Sequence, residues 1–207
     1  MGNLVTMDDL TNEEIVTVLD DAERLLPVAR GDLHLPLLQG KVLANMFFEN
    51  STRTRMSFET AMKRLGGSVL NFSSIGTSVA KGETLYDTMQ MIDGYADVAA
   101  IRHPRQGAAQ YSSDSVGIPI LNAGDGAGNH PTQTMLDLFT IRKEHGSLEG
   151  LNVVLVGDLR YGRTVHSLSH ALVRFGASLT LVSPSSLMMP DEIVSDLKSG
   201  GSEIKQT

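Results

Sequence analysis

The chain contains no cysteine and no tryptophan, and aromatic residues make up only 5% of its 207 positions. Without cysteine, disulfides, thiolate-ligated zinc and thiol catalysis are all excluded. No apolar run approaches the roughly 18 residues needed to cross a bilayer, so a membrane partner is not expected. The N-terminal stretch MGNLVTMDDLTNEEIV lacks both a basic region and a long apolar region, and neither a signal peptide nor an anchor is expected. A cytoplasmic location is the default expectation. Basic residues are also in short supply, with 17 Lys and Arg against 24 Asp and Glu, a formal net charge of -7. General nucleic-acid binding is not expected of such a chain, and the arginines at 53, 55, 102, 105 and 163 are read as local anion contacts.

Strand-like and helix-like stretches alternate along the sequence. The pattern predicts an α/β fold of two doubly wound parallel-sheet domains. KVLANMFF (41 to 48), SVLNF (68 to 72), DVAAIRH (97 to 103) and GIPILNA (117 to 123) read as strands of the first domain. LNVVLVGD (151 to 158) reads as a buried parallel strand of the second, followed by a helix, the strand SLTLV (178 to 182) and a further helix from Asp191 to about Lys198. The boundary is placed in His145-Gly146-Ser147, giving domains 1–146 and 147–207. The stretch beyond residue 150 is about half of a typical domain of about 100 to 150 residues, so the second domain is expected to be incomplete.

The most informative segment is FFENSTRTRMSF (47 to 58). Phe58, Ala61, Met62 and Leu65 fall at i, i+3, i+4 and i+7 and predict a helix that Gly66 and Gly67 stop. Ser51, Thr52, Arg53, Thr54 and Arg55 then crowd its first turn, where free backbone N–H groups and the positive dipole end favour an anion. A phosphate is the natural guest. The alternative is that Ser51 or Thr52 caps the helix while the arginines face water. Two arginines in a first turn argue against it, because cations there oppose the dipole unless an anion lies between them.

Other groups extend this site. Arg102, at the end of a strand expected in the sheet interior, is a second anion or carbonyl contact. His130 precedes a helix that starts at Pro131, where an imidazole can polarise a carbonyl oxygen, and Gln133 can read an amide with a donor and an acceptor. The rival reading for His130 is a helix cap, and for Arg102 a structural ion pair. His166 and His170 are spaced for a metal on a helix face, yet no carboxylate stands at ligand spacing and no metal site is expected. Neither a nucleophile elbow nor a Walker loop is present, so the implied chemistry is transfer by positioning and electrostatic stabilisation.

Five segments, taken together and in order, resemble the transcarbamylases, the aspartate/ornithine carbamoyltransferase family. They are FENSTRTRMSFE (48 to 59), SVAKGETLYDT (78 to 88), IRHP (101 to 104), LNAGDGAGNHPTQTMLDLFTI (121 to 141) and VGDLRYGRTVHSL (156 to 168). The Lys81-Gly82-Glu83 loop, GDGAGNHPTQT and GDLRYGRTVHS are similar to the aspartate branch, with the ornithine branch as the alternative. The resemblance implies that Ser51, Thr52, Arg53 and Thr54 bind the phosphate of carbamoyl phosphate. Thr54, Arg102 and His130 would contact its carbonyl oxygen, and Gln133 its amino group. Ser78 and Lys81 match a loop that enters a neighbouring subunit's active site, implying a homotrimer with shared sites and leaving room for a regulatory chain. Arg163 matches an arginine that binds a carboxylate of L-aspartate, and Glu49 an acidic residue that pairs with arginines on domain closure. The implied product is N-carbamoyl-L-aspartate, of pyrimidine biosynthesis, made without metal or organic cofactor. Family members continue beyond this chain's last residue and there supply a further substrate-gripping Arg-x-Gln loop. A carbamoyl-phosphate-binding module without turnover is therefore the alternative activity.

Overall fold

The computed structural model describes residues 2–73, 81–126 and 128–207. Its regular elements begin with α1 (Asn12–Arg24), α2 (Leu26–Arg30), β1 (Val42–Phe47), α3 (Thr52–Arg64), β2 (Ser68–Ser73) and α4 (Leu85–Asp93). β3 (Val98–His103), α5 (Ala108–Ser115), β4 (Ile120–Asp125) and α6 (Pro131–His145) come next. The last are β5 (Asn152–Val156), α7 (Arg163–Arg174), β6 (Ser178–Val182), α8 (Asp191–Ser199) and β7 (Ile204–Gln206). The expected α/β class with parallel sheets is observed, since every pairing in both sheets is parallel. Among the described residues no helix is long and apolar enough to cross a membrane.

The chain forms two compact units, Met1–Val5 with Asp20–Gly128, and Thr6–Leu19 with Asn129–Thr207. In the first, four strands run in the order β2-β1-β3-β4. Small and branched residues suit strands covered on both faces: Ala44, Met46, Ala99, Ile101 and Ile120 are buried with Met89 and Ile92 of α4. Leu43 and Ala100 meet Met62 of α3 in a second cluster. The helix predicted from Phe58, Met62 and Leu65 is α3, although Ala61 on the predicted face is exposed. Gly66 ends it with φ at +84°, and a Cβ there would lie 2.9 Å from that of Pro36. Only glycine fits both conditions.

In the second unit the sheet order is β5-β6-β7. Ile15 and Leu19 of α1, Leu138 of α6, Leu172 of α7 and Leu197 of α8 enclose Leu155, Leu179 and Leu181. Segments that precede residue 146 in the chain, α6 and Thr6–Leu19, thus contribute to this core. The Arg174 guanidinium holds the early segment by donating to the carbonyls of Met7 (2.8 Å) and Leu10 (2.5 Å) and to Asn12 Oδ1 (3.0 Å). The expectation of a buried strand at 151 to 158 needs correction. β5 is an edge strand here, and alternation sends Leu155 into the core while Val154 and Val156 are 59% and 73% exposed. Leu181→Ala, in the central strand of this sheet, should cost about 2–5 kcal/mol in denaturant unfolding. Val156→Thr should stay within about 0.5 kcal/mol.

Asp97 ties the start of β1 to the start of β3. Its carboxylate accepts from Lys41 Nζ and from the Val42 backbone N–H, both at 2.8 Å. The Lys41 bond, followed by the Val42 bond, lowers its pKa. A depressed carboxylate pKa adds stability above the unfolded value of about 3.9, and that contribution is lost as pH falls through the folded value. Asp97→Asn should therefore lower the thermal midpoint at pH 7, and the gap from the parent should close below about pH 4.

Candidate functional site

After β1 the chain passes through α3 to β2 on one side, then crosses to β3 on the other side of β1. This reversal makes the carboxyl ends of β1 and β3 a topological switch point, the place where open parallel sheets bind ligands. Register brings the two ends level. Phe47 lies opposite Arg102, and the Phe48 N–H donates to the Arg102 carbonyl at 2.9 Å. The segment leading into α3 and the Arg102 side chain consequently rise from the same edge.

Ser51 holds the N-cap position of α3 with extended backbone (φ -156°, ψ 101°), yet its hydroxyl makes no capping hydrogen bond. The first turn of α3 has no acidic residue. Its backbone N–H groups, the hydroxyls of Ser51, Thr52 and Thr54, and the guanidinium groups of Arg53 and Arg55 thus form a positive end with no carboxylate of its own turn. An open cleft of about 510 Å³ lies against it, lined by Glu49, Ser51, Thr52, Arg55, Asn71 and Phe72 among others. Arg55 belongs to this wall, whereas Arg53 is exposed and Thr54 half-buried.

Arg102 is 9% exposed. Its Nη1 donates to the Ala123 carbonyl at 3.2 Å and its Nη2 to Glu49 Oε1 at 3.0 Å. The Nε is buried without a partner among the described residues. A guanidinium cannot shed its proton, so the Glu49 carboxylate supplies the opposing charge and would compete with any incoming anion. Next to it, His103 packs on Phe48 with ring centroids 5.0 Å apart, and its Nδ1 accepts from the Arg105 N–H at 3.0 Å. Burial, then the charge of Arg105, push its pKa below the usual histidine value. A neutral ring is favoured at pH 7.

The other candidates belong to the second unit, apart from Ser78 and Lys81. His130 is 5% exposed and precedes Pro131 of α6; its ring caps nothing, and Nδ1 lies 3.3 Å from Thr132 Oγ1. One turn on, Gln133 Nε2 donates to Asp137 Oδ1 at 3.0 Å. Burial raises the Asp137 pKa, and the Gln133 bond opposes that only in part. Arg163 opens α7 and is half-buried. Lys81 is exposed, while Ser78 lies outside the described residues.

Sequence reasoning overlooked Asn45 and Asn71. Each is a polar residue inside a short apolar strand, a signal that was available. A second hollow of about 560 Å³, bordered by Asn12, Glu13, Glu149 and Arg174, is a weaker candidate although it is the larger. The Arg174 donors there are already engaged with backbone and with Asn12.

Residues 3–143 match the family described as aspartate/ornithine carbamoyltransferase, carbamoyl-P binding domain. The aspartate carbamoyltransferase catalytic subunit of Methanothermobacter thermautotrophicus is 53% identical over 206 residues, covering 99% of this chain and 66% of that protein. The corresponding subunit of Methanothrix thermoacetophila is 54% identical over 205 residues, covering 99% and 67%. Among solved structures, the catalytic subunit of M. jannaschii aspartate transcarbamoylase has a TM-score of 0.93 at 48% identity, covering all of this chain and 68% of that one. The Trypanosoma cruzi aspartate transcarbamoylase in complex with carbamoyl phosphate and aspartate has a TM-score of 0.94 at 42% identity, covering 100% and 70%. The chain thus spans about two thirds of the length of these relatives.

Because Glu49 opposes an anion at Arg102, Glu49→Gln should tighten inorganic phosphate binding by about fivefold at low salt, the equivalent of about 1 kcal/mol between nearby charges. Calorimetry at rising KCl should show the difference shrinking.

Proposed function

This chain belongs to the aspartate/ornithine carbamoyltransferase family, and we propose on that premise that it serves carbamoyl transfer to the amino group of L-aspartate. By sequence, residues 1–146 are the carbamoyl-phosphate-binding domain and residues 147–207 part of an aspartate-binding domain, with Thr6–Leu19 and the stretch from Asn129 packing in the second compact unit. The observation that carries this reading is the first turn of α3, where hydroxyls and two arginines, with no acidic residue in that turn, stand at the switch point beside Arg102. Its positive end suits a phosphate dianion.

Ser51, Thr52, Arg53 and Thr54 take the phosphate, and Arg55, in the cleft wall, adds to the same field. Thr54, Arg102 and His130 hold the carbonyl oxygen, and Gln133 the amino group. Arg163 receives a carboxylate of aspartate, while Ser78 and Lys81 serve a neighbouring subunit's site in a homotrimer. The uncharged aspartate amine attacks the carbamoyl carbon, forming the C–N bond and moving an electron pair onto the carbonyl oxygen. That oxyanion is stabilised by Arg53, Arg102, Thr54 and His130, where each well-placed donor is worth about 3 kcal/mol. Collapse breaks the bond to the phosphate oxygen, and phosphate departs with the amine proton. Positive charge fixed in advance does the catalysis, so neither a metal nor an organic cofactor is required.

Aspartate is preferred to ornithine as acceptor because the similar proteins named above bear that name, and one of them was solved with carbamoyl phosphate and aspartate. The product, N-carbamoyl-L-aspartate, belongs to pyrimidine synthesis, and a cytoplasmic location and a regulatory chain are compatible with it. A second reading is a carbamoyl-phosphate-binding module without turnover. Calorimetry with carbamoyl phosphate beside a product assay separates the two, because heat without N-carbamoyl-aspartate supports the module. In a chain extended to the relatives' length, Arg53→Ala should lower carbamoyl transfer by at least about 100-fold. Retained activity would remove Arg53 from its assigned role.

A further inference from the structure

Asn45 sits in the middle of β1 with no exposure, between the fully buried Ala44 and Met46. A polar side chain there has to be explained. Its Nδ2 donates twice, to the Arg55 carbonyl in the first turn of α3 at 3.1 Å and to Asn71 Oδ1 at 3.2 Å. Asn71 is the registered neighbour on β2. The Asn71 Nδ2 in turn donates to Glu59 Oε2 at 3.0 Å, and Glu59 Oε1 meets Lys63 Nζ at 2.5 Å, both on α3. Two strands are thereby bonded to one helix at its first turn and again one turn later.

The orientation of the amide is fixed by its partners. Both are acceptors, so only the NH2 end can face them, and the Oδ1 is left buried without a partner. A buried amide with an unmet acceptor costs stability that a valine would not. Its presence is better explained by what it holds than by what it stabilises. Aspartate would set oxygen against oxygen here, and serine is too short to bridge to the helix.

We propose that Asn45 is a positioning residue for the anion site: it pins the first turn of α3, and with it Thr52, Arg53, Thr54 and Arg55, over the carboxyl end of β1. The proposal rests on the reading that this turn binds the phosphate of carbamoyl phosphate. Without the pin the turn keeps its residues and loses its fixed distance from the strand end, so donors no longer converge on one anion.

Asn45→Val separates positioning from stability. Valine suits a buried strand, so the thermal midpoint should be unchanged or higher, while calorimetry with carbamoyl phosphate and with inorganic phosphate should show about tenfold weaker binding. A merely structural asparagine would not give opposite signs. Arg64→Ala is the control at the far end of the same helix, where Arg64 Nη1 donates to the Val28 carbonyl at 3.0 Å. It should lower the midpoint and leave affinity within twofold of the parent. Parental affinity in Asn45→Val, beside lost affinity in Arg53→Ala, overturns the positioning role alone. Parental affinity in Arg53→Ala overturns the phosphate reading beneath it. Should Asn45→Val not fold, Asn45→Ala decides by the same comparison with Arg64→Ala at matched thermal loss.

Discussion

The site depends on the side-by-side parallel pairing of β1 with β3. Two strands far apart in the chain are held level, Phe47 against Arg102, so that one helix start and one buried guanidinium emerge together. Backbone hydrogen bonds set this distance, not the charged groups themselves. The charges repel one another, and an arrangement of arginines around a helix N-terminus would disperse if it rested on flexible loops. The sheet absorbs that repulsion, and a bound dianion would relieve it. Pre-organised positive charge links the fold to the proposed chemistry.

Around this centre, acidic groups tune the charge without cancelling it. Glu49 faces Arg102, while Glu59, with its pKa lowered first by Lys63 and then by Asn71, stays ionised one turn beyond Arg55, whose charge adds to the same shift. Asp97 does similar work at the opposite, amino end of the strands, where it binds a lysine and a backbone N–H. Carboxylates thus anchor both ends of the sheet, and the arginines of the α3 first turn are left without an acidic neighbour in that turn.

Much of the fold was legible because its strands are short apolar runs bounded by glycine and polar residues. The extents of β1 to β4, α3, α6, α7, β6 and α8 agree with periodicity to within a few residues. Helix α1 went unrecognised, although Thr11 and Glu14 write a capping box and make its reciprocal bonds at 3.2 and 2.8 Å. β5 was misread because Val153, Val154, Leu155 and Val156 give the same letters whether both faces are covered or one. At the site, Arg53 and Arg55 were equivalent as letters, and only the helix phase puts Arg55 in the cleft wall. Asn45 was passed over because one asparagine scarcely dents an apolar run, and its meaning lies in residues 10 and 26 positions away.

The exposed edge at β5 carries a further consequence. Among the described residues β5 has one strand neighbour, β6, and on one face it offers Val154 and Val156 to solvent. An edge of this kind, apolar and without a proline or lysine to blunt it, is a template on which another strand can form. The net charge of -7 keeps such edges apart at long range. Raising salt would screen that repulsion and bring the edges together, so the conditions that quieten the anion site are also those that favour self-association.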